Sequence, residues 1–215
     1  MDEQLTLVIA TRNPGKTKEI MDLLKEFPIT IKNLDDFGPI PEVTEDGSTF
    51  DDNAYKKSSF TSRILGLPAL SDDSGLCVDA LDGAPGVYSA RYAGNNATDE
   101  ENCAKVLKEL NDHQNRKASF QCVISIAVPT GAALTYESSC DGVILKHPKG
   151  ANGFGYDPVF FFQEFNKTFA QISREEKSRV SHRGKALREL RDEFDKVLQW
   201  LRQQMPVEEK FQCKE

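Results

Sequence analysis

Leu5-Thr-Leu-Val-Ile-Ala10, a short apolar run rich in β-branched residues, passes through Thr11-Arg-Asn-Pro-Gly-Lys16 to apolar positions at Ile20, Leu23, Leu24 and Phe27. The run reads as a buried strand, Asn13-Pro14-Gly15 as the turn that ends it, and the spaced residues as one face of a helix. Strand, turn and helix in that order make the βα unit that opens many α/β folds. Ile29–Asn33 reads as a second strand, and a Pro- and Gly-punctuated loop over Phe37–Gly47 leads to a helix over Phe50–Leu65. Short strands are expected at Ala69–Ser71 and Leu76–Leu81, followed by the loop Gly83-Ala-Pro-Gly86. Thr98-Asp-Glu-Glu101 has the form of a capping box and starts a helix running to about Leu110. Ala118–Val128 and Ala132–Leu145 read as antiparallel strands joined at Pro129-Thr-Gly131. A final helix is expected from Ser181 through Leu187, Leu190, Phe194, Leu198 and Leu201, ended by Pro206. The expected whole is an α/β protein with a mixed sheet, one domain over 1–205 with a polar tail over 206–215.

Composition narrows the classes of function. The 27 basic and 34 acidic residues give a net charge of −7, which argues against a general nucleic-acid-binding surface yet leaves room for a nucleotide held by a few focused lysines. No apolar run approaches the roughly 20 residues of a membrane span. The start, Met1-Asp-Glu-Gln-Leu5, lacks the basic and apolar regions of a secretion signal, so a cytoplasmic protein without a membrane partner is expected. The five cysteines are odd in number, scattered and without a C-x-x-C pair, which points to free thiols, not to disulfides or zinc. His113, His147 and His182 lie far apart in sequence, so any metal should be a hard cation held by carboxylates, Mg²⁺ or its substitute Mn²⁺.

Two segments carry chemistry. Ala10-Thr-Arg-Asn-Pro-Gly-Lys-Thr17 nearly spells a P-loop, and backbone N–H groups at a helix start with one lysine suit a phosphate. Ala10 stands where a P-loop has its first glycine, Pro14 removes an N–H donor, and no later strand ends in a clear Walker-B aspartate. A different phosphate-binding turn fits better. Leu70-Ser-Asp-Asp-Ser-Gly-Leu76 sets two adjacent carboxylates at the end of a short strand, where neighbours point to opposite faces. One of Asp72 and Asp73 could bind Mg²⁺ or activate water while the other orients a neighbour; an Asx-turn between two strands is the plain structural alternative. Glu45 and Asp46, in Thr44-Glu-Asp-Gly47, are candidates for a second oxygen ligand.

Taken together, the segments resemble the inosine triphosphate pyrophosphatase family of house-cleaning enzymes, from Ile9 to about Leu190. The motifs are Thr11–Lys16, Thr49-Phe-Asp-Asp-Asn-Ala54 with Lys57, Ser71-Asp-Asp-Ser-Gly-Leu76, Gly83-Ala-Pro-Gly-Val-Tyr-Ser-Ala-Arg-Tyr92, Gly153-Phe-Gly-Tyr-Asp-Pro158, and Glu176-Lys177 with Ser181-His-Arg183, all in the family's order. The forms of the acidic and Gly-Ala-Pro-Gly motifs look bacterial. The resemblance implies two lobes around a long mixed β-sheet with flanking helices, a nucleotide cleft between the lobes, a homodimer and Mg²⁺. It implies hydrolysis of ITP, dITP and XTP to the monophosphate and pyrophosphate. It also implies that Thr11, Arg12, Asn13, Pro14, Gly15 and Lys16 grip the triphosphate with Lys57, supported by Asn53. Asp73 would be proton acceptor and metal ligand, with Glu45 as second ligand. Ser74, Phe154, Gly155, Tyr156, Asp157, Lys177, His182 and Arg183 would contact substrate, an aromatic face stacking on the purine and cationic donors reading a 6-oxo group. Arg91 and the Gly83–Tyr92 loop have no assigned chemistry and read as structural. A P-loop ATPase or kinase, a silent nucleotide-binding module and a septum-inhibitor-type pyrophosphatase are the rival readings.

Overall fold

The computed structural model of the chain describes residues 4–205; the expected tail over 206–215 lies outside them. The opening βα unit forms as its sequence pattern requires: β1 (Thr6–Ile9) runs into α1 (Pro14–Leu24), and β2 (Thr30–Asn33) lies parallel to β1. A loop then leads to α2 (Phe50–Leu65), capped by Thr49 and closed by Gly66 in the left-handed conformation. The capping box at Thr98 is present and opens α3 (Asp99–Glu109). The long hairpin is β4 (Lys117–Ala127) with β5 (Ala133–Ile144).

Two expectations are corrected. The two short strands around the acidic motif are one ten-residue strand, β3 (Ala69–Val78). All ten residues pair with β4, from Ala69 opposite Ala127 to Val78 opposite Ala118, and there is no Asx-turn at the aspartates. The polar stretch stays extended because both carboxylates find cations at the sheet. The single final helix is instead α5 (His182–Asp192) and α6 (Phe194–Gln204), broken at Glu193, whose N–H bonds back to the carbonyls of Glu189 and Arg191. The break lets Phe194 bury itself against Phe27, ring centroids 4.5 Å apart. Three elements carried too little periodicity to be read: β6 (Phe160–Phe162), β7 (Lys167–Thr168) and α4 (Arg174–Val180).

The sheet is mixed, in the order β2-β1-β3-β4-β5-β6-β7, with β1 parallel to both neighbours and all other pairs antiparallel. On one face Leu7, Ile9, Leu70, Ile124 and Ile126 pack with α1, α5 and α6. On the other, α2 sets Phe50 and Ala54 on Val123, and Ser58 on Ser125. A second large cluster joins Leu76, Val106, Phe120, Phe160 and Phe169 beyond α3. Cys103, Cys122 and Cys140 are buried free thiols and Cys77 is a partly buried one.

Gly75 lets the rest of the molecule approach β3. A Cβ there would lie 2.5 Å from the Gly86 carbonyl oxygen and from Ser89 Oγ, and 2.8 Å from Phe50 Cε1. Its place is taken by the 3₁₀ turn Gly86–Arg91, whose Ser89 Oγ accepts from the Leu76 N–H at 2.9 Å and donates to Gly86 O. Gly75→Ala is therefore expected to destabilise the fold by about 1–3 kcal/mol through overpacking. Denaturant unfolding checks this, and an unchanged midpoint would contradict the close approach.

Candidate active site

Alternation along β3 divides the acidic motif between two faces. Asp72 points to the α1 and α5 side. Its Oδ2 accepts from Lys16 Nζ at 2.8 Å, from Arg183 Nη2 at 2.8 Å and Nε at 3.2 Å, and from Ser74 Oγ at 3.3 Å. The carboxylate is 2 % exposed. Burial alone would raise its pKa, but Arg183 and Lys16 outweigh burial and hold it well below the usual carboxylate range. Asp72 likewise overcomes the burial of Arg183 and keeps its guanidinium charged. Asp72 thus joins the first turn of α1 to the first turn of α5.

The α1 turn works differently from a bare anion nest. Asn13 caps the helix, and its Oδ1 accepts from the N–H groups of Gly15 at 2.9 Å and Lys16 at 3.1 Å. Those donors, expected to face phosphate, are already satisfied; the turn instead presents the Lys16 ammonium. Asn13, Gly15 and Lys16 line the cleft described below, whereas Thr11, Arg12 and Pro14 do not. Thr11 Oγ1 accepts from the Asn13 N–H, and Arg12 turns away to donate to the Ile40 carbonyl at 2.7 Å.

A cleft of about 780 Å³ opens on this face between α1 and the segment around 152–183. A smaller cavity of about 300 Å³ adjoins it, and Asn13, Lys16, Phe154, Lys177, His182 and Arg183 line both. One wall is α1, whose Ile20 and Leu24 belong to the first core cluster; the other carries Phe169 and Ile172 of the second. Phe154 stands 61 % exposed at the junction. Lys177 Nζ lies 4.4 Å from its ring centroid and donates to Asp157 Oδ2 at 2.5 Å. Asp157 also accepts from the Phe154 N–H at 3.0 Å, so it braces the turn. Burial pushes its carboxyl up, against the pull of Lys177. Gly155 supplies the left-handed φ of +60° beside Phe154. Tyr156 is placed as a core residue, 4 % exposed with its hydroxyl on the Ser89 carbonyl at 2.8 Å, and not as an open stacking face. His182 stacks on Phe120 at 4.8 Å. Burial, then Arg183 and Lys177, lower its pKa well below the ordinary value, so the imidazole is neutral, with a buried Nδ1 that has no protein partner among the described residues.

Asp73, Lys57, Asn53 and Glu45 gather on the α2 face of β3, apart from the residues that line the two cavities. Lys57 Nζ bridges Asp73 Oδ1 at 2.9 Å and Glu45 Oε2 at 3.1 Å. Burial raises the pKa of Asp73; Lys57 opposes the rise and Glu45 adds to it. Burial would lower the pKa of Lys57, but Asp73 and Glu45 reverse that. Asn53 is buried, donating to Asp73 Oδ2 at 3.4 Å and accepting from the Gly47 N–H at 2.8 Å. The loop bearing Glu45 is also fastened by Arg91 Nη2, which donates to the Glu45 carbonyl at 3.0 Å. Arg91, left as structural in the sequence, therefore holds a candidate ligand loop. Nothing in a lone Arg before a Tyr could have revealed a partner 46 residues away.

This geometry sits on a chain with many relatives. The Ham1 family model matches residues 7–193. A Desulfotalea psychrophila protein named dITP/XTP pyrophosphatase is 58% identical over 202 residues, covering 94% of this chain and 91% of the relative. A Syntrophobacter fumaroxidans protein of the same name is 59% identical over 199 residues, covering 93% of this chain and 86% of the relative. The solved structure of a HAM1 protein from Coxiella burnetii superposes with a TM-score of 0.87 at 42% identity, covering 90% of this chain and 100% of that one. With the family model matching residues 7–193 and these relatives agreeing, the chain belongs to the Ham1 family.

Proposed function

We propose that the chain hydrolyses non-standard purine nucleoside triphosphates, ITP, dITP and XTP, to the nucleoside monophosphate and pyrophosphate, clearing deaminated purines from the nucleotide pool. The relatives named dITP/XTP pyrophosphatase support the reaction. The observation that supports it is the Lys16–Asp72–Arg183 bridge at one cleft; in this reading Lys16 binds phosphate and Arg183 reads the base. The cleft between the two core clusters is the nucleotide site in this reading.

In this reading the triphosphate runs from that cleft over the edge of β3 beyond Leu70, where its pairing with β1 ends, so that Lys16 on one face of the strand and Lys57 on the other both hold it, their charges offsetting those that gather on the departing pyrophosphate. Asp73 takes the proton of the attacking water as its oxygen bonds to phosphorus and the α–β phosphoanhydride bond breaks. Its burial raises its basicity, which suits the role. Asn53 fixes the carboxylate, and Arg12 and Arg91 fix the loop that carries Glu45. The donor set fits Mg²⁺. Glu45 and Asp73 already flank a single cationic nitrogen, and no cluster of three or more potential ligands exists among the described residues. Mg²⁺ is characteristically bound by one or two carboxylates completed by substrate phosphates. When bound, the ion would neutralise phosphate charge. Phe154 stacks on the purine, and Lys177, Arg183 and His182 face its 6-oxo group. Adenine offers a 6-amino donor there and leaves the buried donors unpaired. A cytoplasmic homodimer acting on free nucleotide is part of the same proposal; no helix among the described residues is long and apolar enough to cross a membrane.

Turnover of ITP, XTP, dITP, ATP and GTP with Mg²⁺, with pyrophosphate and orthophosphate assayed separately, tests the reaction. Pyrophosphate from the first three is expected, with ATP slower by up to about 10⁴-fold in kcat/KM; orthophosphate from ATP would defeat the proposal. Asp73→Asn should lower kcat by about 10²-fold or more, and near-normal turnover with Mg²⁺ would remove Asp73 from the role of base. Lys177→Ala should narrow the ITP-to-ATP ratio of kcat/KM; an unchanged ratio would take base reading away from Lys177.

A further inference from the structure

Asp99 and Cys103 stand one helical turn apart at the start of α3, on the same side of the helix. Both reach Gly155. Asp99 Oδ2 accepts from the Gly155 N–H at 2.6 Å, and Cys103 Sγ donates to the Gly155 carbonyl at 3.4 Å. Burial, with Asp99 and Glu100 close by, pushes the Cys103 thiol up to about 12, so it stays a protonated donor. Between them lies Asn102, whose Oδ1 accepts from the Ala93 N–H at 2.8 Å and whose Nδ2 donates to the Ala90 carbonyl at 3.3 Å. One face of α3 therefore grips two loops that border the smaller cavity, and Asp99 and Asn102 line that cavity themselves.

The gripped residue matters because Phe154 precedes it. Glycines in left-handed conformations at 153 and 155 flank Phe154, so its exposed ring has little backbone stiffness of its own. Asp157 holds the Phe154 N–H from within the turn; α3 supplies the hold from outside it. We infer that Asp99, assisted by Cys103, is a positioning residue that sets the plane of Phe154 for purine stacking and thereby the affinity and selectivity for the base. The inference rests on the base-reading role given to Phe154 above.

The test is steady-state kinetics of Asp99→Ala, Asp99→Asn, Cys103→Ala, Phe154→Ala and Phe154→Ala/Asp99→Ala on ITP and ATP, with melting temperatures recorded. Loss of well-aligned base–aromatic stacking weakens binding, so Asp99→Ala should raise the KM for ITP about tenfold with kcat within about twofold, and narrow the ITP-to-ATP ratio. Asp99→Asn keeps an acceptor oxygen and should restore wild-type KM. Cys103→Ala should move KM the same way by less, and it decides the matter if Asp99→Ala does not fold. In the Phe154→Ala background, Asp99→Ala should add nothing. A wild-type KM in Asp99→Ala, a loss confined to kcat, an equal defect in Asp99→Asn, or full additivity with Phe154→Ala would each overturn the positioning role. Failure of the wild type to release pyrophosphate from ITP would sink the pyrophosphatase reading itself; wild-type turnover with an unaffected Asp99→Ala would sink only this inference.

Discussion

Burying a carboxylate within a sheet costs several kcal/mol unless cations come to meet it, and Asp72 draws two. Lys16 comes from the first turn of α1 and Arg183 from the first turn of α5, helices separated by most of the chain. For both to reach one oxygen, β1, β3 and the C-terminal helices must occupy their observed places. Removing either partner would leave a buried charge short of compensation, so this ion triad ties the fold to the site. It also keeps Lys16 and Arg183 pre-oriented, which would lower the ordering cost of the substrate grip proposed for them.

The neighbouring carboxylate faces the opposite way and lives under a different balance. Asp73 shares Lys57 with Glu45, and its pKa is displaced upward where that of Asp72 is displaced downward. Strand alternation thus delivers two adjacent residues of one type to different charge surroundings that drive them apart electrostatically, a pattern that separates acid–base tasks within catalytic sites. The loop bearing Glu45 has no regular structure and depends on contacts from Arg12, Asn53 and Arg91. Each of these anchors binds a main-chain group of the loop, leaving the Glu45 side chain to the charge cluster.

On the other side of β3, aromatic residues divide the labour. Phe120, Phe160 and Phe169 interlock in the core and Phe120 carries the stacked His182, while Phe154 stands open at the cleft. A neutral, buried His182 next to Arg183 keeps the local positive charge on the guanidinium and offers the cavity an uncharged imidazole.

The linear sequence was enough for whatever is local in origin. The βα opening, the Thr98 capping box, the α2 boundaries and the β4–β5 hairpin follow from periodicity and end signals that act over a few residues, and the motifs in their order carried the family. It was misleading wherever a long-range partner overrides local preference. Two aspartates flanked by serines resemble a turn until cations from α1, α2 and α5 make an extended, buried strand the better state. Residues 181–201 resemble one helix until the burial of Phe194 against Phe27 favours a break at Glu193. Tyr156 and Phe154 stand two apart in one motif, yet packing buries the first and opens the second. The anchoring roles of Arg91 and Asp99 were invisible for the same reason: each is defined by a backbone group 46 or 56 residues distant, and no property of the local chain encodes which distant peptide will come within hydrogen-bond reach.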